Sequence, residues 1–84
     1  MVKTAIVEYM EKTFLFEFDV EITDSTDLFK EGIMDSFGYM QLMKFLQDTF
    51  RIKFSKEEML SNVITSLSGI VAAVEAKLDG GKSG

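Results

Sequence analysis

The sequence lacks four residue types, and each absence removes a class of chemistry. None of its 84 residues is cysteine, histidine, proline or tryptophan. Without cysteine the chain can form no disulfide, no thiolate nucleophile and no cysteine-based zinc or iron–sulfur site. Without histidine it lacks the commonest general base, so Ser–His and Cys–His catalytic arrangements are excluded. We therefore expect a protein that is not an enzyme.

Positive charge is also scarce. The chain has 9 Lys and Arg residues against 14 Asp and Glu residues, which gives a net charge of −5. Because binding to phosphates needs a basic patch, nucleic acid is not an expected partner. No apolar run reaches the roughly 18 residues that a membrane-spanning helix needs. Glu8 precedes any long apolar stretch, so we expect no secretory signal and a cytoplasmic location.

Apolar residues recur with helical spacing in most of the chain. The last such segment is the most regular, with Leu67, Ile70 and Val74 at intervals of three and four residues. Apolar and polar residues alternate over 16–23, a pattern that is typical of a strand. A lone strand would have no partner to pair with, so we interpret this segment as an extended loop. The predicted helices span about 3–14, 36–50, 56–61 and 66–78.

These elements predict an all-α fold, a four-helix bundle with a short third helix and a long loop between helices one and two. Asp35 is the predicted N-cap of the second helix. Ser55 is the predicted N-cap of the third helix, and it forms a capping box with Glu58 three residues later. Gly80 is the predicted end of the fourth helix. We expect a single small domain over residues 1–78 and a flexible tail over residues 79–84.

The sequence can be examined for two further kinds of site, a calcium-binding loop and a deformable apolar interior. A calcium loop beginning at Asp19 would need glycine at its sixth position and glutamate at its twelfth, where the chain has Asp24 and Lys30. The 6 Met and 8 Phe residues could simply fill the core, or could form a deformable interior that repacks around a guest. The candidate residues for lining such an interior are Met34, Met40, Met43, Phe45 and Met59.

Ser36 is the most informative polar residue. If Asp35 caps the second helix, the Ser36 hydroxyl is free in the first turn. A phosphate on that oxygen would lie at the positive end of the helix dipole, where anions are favoured. Gly38 carries no side chain that could crowd Ser36. On these grounds alone, Ser36 is either a second capping residue or a modification site.

The residues around Ser36 resemble the carrier-protein family, which comprises acyl carrier proteins and their peptidyl and D-alanyl carrier relatives. The family motif is Asp-Ser followed by a bulky apolar residue, and here it is Asp35-Ser36-Phe37. The similarity extends over about 27–78. It rests on Asp27-Leu28-Phe29, Gly32-Ile33-Met34, Gln41-Leu42, Phe45-Leu46 and Ile64-Thr65-Ser66-Leu67.

The resemblance implies a specific role. Ser36 would carry 4′-phosphopantetheine, with Asp35 beside it, and the thiol of that arm would hold an acyl group as a thioester. The implied partners are a phosphopantetheinyl transferase and acyl-loading and acyl-transferring enzymes. We expect a monomeric acyl carrier protein of fatty acid, lipid or polyketide-type biosynthesis.

The second predicted helix departs from the acidic docking face that the family typically has. Its charged residues are Lys44 and Asp48, and glutamines stand at Gln41 and Gln47. This pattern predicts a specialised carrier with dedicated partners. The alternatives are a D-alanyl or aminoacyl (peptidyl) carrier that uses the same serine, and a non-covalent helical adaptor that binds a partner helix.

Overall fold

The computed structural model describes residues 2–61 and 63–83, and within them it contains four helices and no strand. The helices are α1 (Val2–Phe14), α2 (Ser36–Phe50), α3 (Lys56–Leu60) and α4 (Leu67–Ser83). The predicted all-α bundle, with a short third helix and a long first loop, is confirmed.

The core lies between the three long helices. α1 contributes Ile6 and Met10, and α4 contributes the regularly spaced Leu67, Ile70 and Val74, all fully buried. α2 adds a wide apolar face that consists of Tyr39, Leu42, Met43 and Leu46. Because α3 has no buried residue, it lies on the surface of this core. The bundle is therefore stabilised mainly by burial between α1, α2 and α4.

Local signals fix both ends of α2, whose predicted bounds are confirmed. Asp35 has extended backbone angles and caps the first turn, as predicted. At the other end Arg51 adopts the left-handed conformation, with φ 57°, and its N–H bonds to the carbonyl of Gln47. The Gln47 side chain then accepts from the N–H of Phe54 at 2.9 Å, which holds the next segment against α2.

α3 forms around the predicted capping box. The Ser55 hydroxyl accepts from the N–H of Glu58 at 3.1 Å, and the Glu58 carboxylate accepts from the N–H of Ser55 at 2.7 Å. Glu58 also binds Lys77 of α4 at 2.8 Å. Hydrogen bonds to Lys77 and then to the Ser55 backbone lower the pKa of Glu58 below its ordinary value. This one carboxylate both starts α3 and joins it to α4.

Residues 16–23, between α1 and α2, form a loop rather than a strand, as interpreted from the sequence. Phe16, Phe18 and Ile22 are half-buried and pack against the core. The Asp19 carboxylate accepts from the N–H groups of Ile22 and Glu21, and these bonds lower its pKa. Asp19 is therefore part of a local turn.

The end of α4 differs from its prediction. The helix does not end at Leu78 before Gly80 but continues through Gly80 and Gly81 to Ser83. A glycine lowers helix propensity by about 1 kcal/mol relative to alanine, which does not by itself end a helix. The flexibility of residues 79–84 stays a prediction, and Gly84 lies outside the described residues, as does the predicted α3 boundary at Asn62.

Candidate functional site

The segment before α2 is wound around one buried side chain. Leu28 is fully buried, and its carbonyl accepts from the N–H groups of Ile33 and Met34 at 3.0 and 3.2 Å. Its own N–H donates to the carbonyl of Thr65 at 2.8 Å, which joins the segment to the start of α4. Gly32 completes the turn at φ 77°, a conformation that glycine adopts at little cost. The first turn of α2 is thereby fixed in place.

Asp35 and Ser36 have different roles at the start of α2. The Asp35 carboxylate accepts from the N–H of Gly38 at 2.8 Å, so the cap is occupied. Ser36 is exposed, and its hydroxyl makes no hydrogen bond within residues 2–61 and 63–83. The prediction that Asp35 caps the helix and leaves Ser36 free is confirmed.

The electrostatic setting of Ser36 favours a negatively charged substituent. α2 is 15 residues long and has no acidic residue in its first turn. The aligned peptide dipoles of such a helix place partial positive charge at its N-terminus, where a phosphate is stabilised.

Gly38 has a different role from the one expected of it. A Cβ atom at this position would lie 2.7 Å from Cε1 of Phe14 and 3.3 Å from Oδ1 of Asp35. The space that glycine leaves is therefore occupied by the end of α1 and by the cap, not opened beside Ser36. Gly38 lets α1 and α2 approach each other at the base of the site.

A small apolar cleft, which we call the serine cleft, lies beside Ser36. Its volume is about 90 Å³. Apolar side chains dominate its walls, so the cleft offers contacts for a short apolar group. The cleft is lined by Phe29, Ser36, Tyr39, Met40, Met59, Leu60 and Val63.

The five residues proposed to line a deformable interior fall into three places. Met40 and Met59 line the serine cleft. Met34 and Met43 are buried in the core, with 3% and 1% exposure. Phe45 stacks on Tyr9 of α1, with ring centroids 4.0 Å apart. The structure therefore brings together only two of them near Ser36.

The sequence reasoning missed the other walls of the cleft. Tyr39 is buried, and its hydroxyl accepts from the N–H of Ile64 at 3.0 Å, which joins α2 to the segment after α3. Its ring also packs beside Phe29 at a centroid distance of 5.6 Å. Tyr39 has the helical spacing of a core residue in α2, but that spacing carries no signal that Leu60 and Val63 would line the same cleft.

The surface that α2 presents around Ser36 is mainly apolar, and the exposed Asp35 carboxylate lies beside it. Phe37 is 73% exposed and Leu60 is 65% exposed, and Met40 adds a further partly exposed side chain. The two charged residues of α2, Lys44 and Asp48, pair with each other at 3.0 Å. A protein that approaches Ser36 therefore meets apolar side chains rather than an acidic face.

Other kinds of site were sought in residues 2–61 and 63–83. That part of the chain holds no group of three or more acidic, cysteine or histidine side chains arranged to bind a metal ion. None of the helices there has the length and apolar character required to cross a bilayer.

The comparison with protein families identifies this region. A family model described as the phosphopantetheine attachment site matches residues 5–74. This range includes the turn around Leu28, the Asp35 cap, Ser36 and the serine cleft. No curated protein matches the chain.

Proposed function

This chain belongs to the phosphopantetheine attachment-site family, and from that premise we propose that Ser36 is the residue that carries the arm. Proteins of this family bear 4′-phosphopantetheine covalently on a serine and act as carriers, not as enzymes. The observation that supports Ser36 most directly is its free, exposed hydroxyl beside an occupied N-cap.

The other serines in the matched segment are less suitable. Ser55 and Ser66 use their hydroxyls to accept from the N–H groups of Glu58 and Gly69. Ser25 and Ser68 lie within hydrogen-bonding distance of neighbouring hydroxyls. Ser61 is the C-cap of α3, where the helix dipole disfavours a phosphate.

When attached, the arm supplies a terminal thiol that holds the cargo as a thioester. The residues of the chain supply the rest of the function. The N-terminus of α2 stabilises the negative charge on the serine oxygen, and the serine cleft offers apolar contacts for the part of the arm or cargo that lies nearest the protein. The family match favours this carrier role over a non-covalent helical adaptor.

We further propose that the cargo is an acyl group and that dedicated partner enzymes load and unload it. The carrier would act as a monomer in fatty acid, lipid or polyketide-type biosynthesis. The apolar serine cleft and the neutral face of α2 support this. The small volume of the cleft, about 90 Å³, favours a second candidate with a short cargo, a D-alanyl or aminoacyl (peptidyl) carrier.

Intact mass spectrometry tests the attachment residue. We expect incubation with coenzyme A and a phosphopantetheinyl transferase to add the mass of one phosphopantetheinyl group to the wild type and to Ser61→Ala, a matched control. Ser36→Ala should gain nothing while keeping its helical circular dichroism. A gain that persists in Ser36→Ala would place the arm on another residue.

Loading assays with the modified protein distinguish the two kinds of cargo. We expect thioester formation with a fatty-acid adenylating enzyme, and none with an amino-acid adenylating enzyme. The reverse result would assign the chain to the aminoacyl carriers.

A further inference from the structure

An open groove lies on the α1 side of the bundle, and we call it the α1 groove. Its volume is about 670 Å³, and α1 contributes residues at positions 5, 8, 9, 11 and 12, of which 5, 8, 9 and 12 have the spacing of one helix face. Phe16 from the loop and Phe45 from α2 supply its aromatic walls. No helix of the described chain covers this face.

The α1 groove is far from Ser36. Nine residues separate Ser36 from Phe45, which corresponds to about 180° around a helix and about 13 Å along it. A second groove of about 320 Å³ continues from the stacked Tyr9 and Phe45 rings toward Lys44. The serine cleft and the α1 groove are therefore separate surfaces, and a partner on one leaves the other accessible.

The charge around the α1 groove is predominantly negative. Glu8, Glu11 and Glu17 line it, with Lys12 as the cation among them. Glu11 accepts from the N–H of Phe18 at 2.9 Å, whereas Glu8 and Glu17 have no ion-pair partner within residues 2–61 and 63–83.

This local charge reflects an uneven distribution along the whole chain. Nine of the 14 acidic residues precede Ser36, but only three of the 9 basic residues do. In the groove itself Glu8 and Glu17 are exposed and make no ion pair among residues 2–61 and 63–83, whereas the two charged residues of α2 pair with each other. A basic protein would therefore be attracted to the α1 groove rather than to α2.

We propose that the α1 groove binds a basic amphipathic helix of a partner protein. Its apolar face would pack on Tyr9, Phe16 and Phe45, and its flanking Lys or Arg residues would pair with Glu8 and Glu17. A helix suits the groove because the groove is open along one exposed face of α1, the geometry in which helices pack against each other. This second contact would hold the carrier to its partner while Ser36 stays accessible.

Binding of designed peptides tests the proposal directly. The probe is an amphipathic peptide of about 15 residues with leucines on one face and lysines on the other. The matched control has the same composition, scrambled so that the leucines form no single face. We expect the amphipathic peptide to shift the ring NMR signals of Tyr9 and Phe45 and to leave Phe37 unchanged, and we expect the scrambled peptide to shift neither ring.

Charge variants identify the carboxylates involved. We expect Glu8→Gln/Glu17→Gln to weaken binding of the amphipathic peptide by roughly twofold to thirtyfold, the range for two exposed ion pairs. Glu31→Gln/Glu57→Gln removes the same charge outside the groove and should change the affinity by less than about twofold. Both pairs of positions are exposed, so the fold should be retained.

Three results would overturn the proposal: equal binding of the two peptides, peptide-induced shifts centred on Phe37, or equal losses in the two double variants. The test does not depend on the attached arm. We expect Ser36→Ala to bind the amphipathic peptide as the wild type does, so failure of the α1 groove and failure of the carrier assignment give different results.

Discussion

The single carboxylate of Asp35 makes the start of α2 sensitive to substitution. Its bond to the N–H of Gly38, at 2.8 Å, satisfies one of the donors that the first helical turn leaves without a partner. We expect Asp35→Ala to lower the free energy of unfolding by about 0.5–2 kcal/mol. Urea denaturation would measure the loss.

The matched control is Asp35→Asn, which keeps an oxygen acceptor at the N-cap and should retain most of the stability. If Asp35→Ala unfolds at the same urea concentration as the wild type, the cap contributes nothing measurable and the position of Ser36 must be fixed by the buried turn around Leu28.

Gly38 and Phe14 form a second residue-scale constraint. Alanine at Gly38 gains about 1 kcal/mol of helix propensity, but its Cβ would lie 2.7 Å from Cε1 of Phe14. Overpacking of this kind costs about 1–3 kcal/mol, so we expect Gly38→Ala to be neutral to destabilising in the wild type. In a Phe14→Leu background the clash is removed, and the same change should stabilise the protein.

A double-mutant cycle on thermal or urea unfolding measures this coupling, which we expect to be at least about 0.5 kcal/mol. Gly38→Ala having the same effect in both backgrounds would mean that the ring of Phe14 moves aside without cost.

At the scale of elements, α3 depends on polar contacts because it buries no side chain. The pKa of Glu58 is lowered by its hydrogen bonds to Lys77 and to the Ser55 backbone. A lowered folded-state pKa stabilises the fold above the unfolded value, and this stabilisation is lost as the pH falls through the folded-state pKa. We therefore expect Glu58→Gln to be less stable than the wild type at pH 7 and to match it well below pH 4.5, the ordinary pKa.

Urea unfolding over a pH series would show this convergence. Glutamine keeps an acceptor for the N-H of Ser55, so the comparison isolates the negative charge, and Asp19 titrates in both proteins. The control is the adjacent Glu57→Gln at pH 7, which should lose less stability because Glu57 makes no ion pair within residues 2–61 and 63–83. A Glu58→Gln difference that stays constant down to pH 3 would contradict the prediction.

The elements also show how far the sequence could predict this molecule. Capping depends on a few adjacent residues, so Asp35 and Ser55 correctly marked the starts of α2 and α3. Helical spacing correctly identified which side chains face inward, but it could not identify the neighbour that each would meet. Phe45 was therefore grouped with four methionines as a lining residue of one deformable interior, whereas it stacks on Tyr9.

The serine cleft could not be predicted from the sequence for the same reason. Its walls come from the buried turn, from α2 and from the α3 region, and only the tertiary fold brings Phe29, Met40 and Leu60 together. The end of α4 was missed because Gly80 was given more weight as a stop signal than its modest helix-propensity cost justifies.

At the scale of the whole molecule, the carboxylates of the α1 groove and Ser36 lie on different surfaces. The net charge of −5 is concentrated before Ser36, while α2 presents Phe37 and Met40 beside one internal ion pair. Salt screens exposed charges, since the Debye length falls from about 30 Å at 0.01 M to about 3 Å at 1 M, but it does not weaken apolar contacts. The two surfaces should therefore respond differently to ionic strength.

We expect the kcat/KM of a phosphopantetheinyl transferase for this protein, at saturating coenzyme A, to change by less than about twofold between 0.05 and 0.5 M NaCl, because an apolar face is not screened. The control is Gln41→Glu/Thr49→Glu, which places two new carboxylates on exposed positions of α2 and should make the same rate constant more sensitive to salt. Binding of the amphipathic peptide to the α1 groove should weaken over the same range in both proteins. If the wild-type kcat/KM falls with rising salt as steeply as that of the control, the prediction is wrong and charge governs recognition at Ser36. The carboxylates on the α1 side would then have to attract the same partner from a distance.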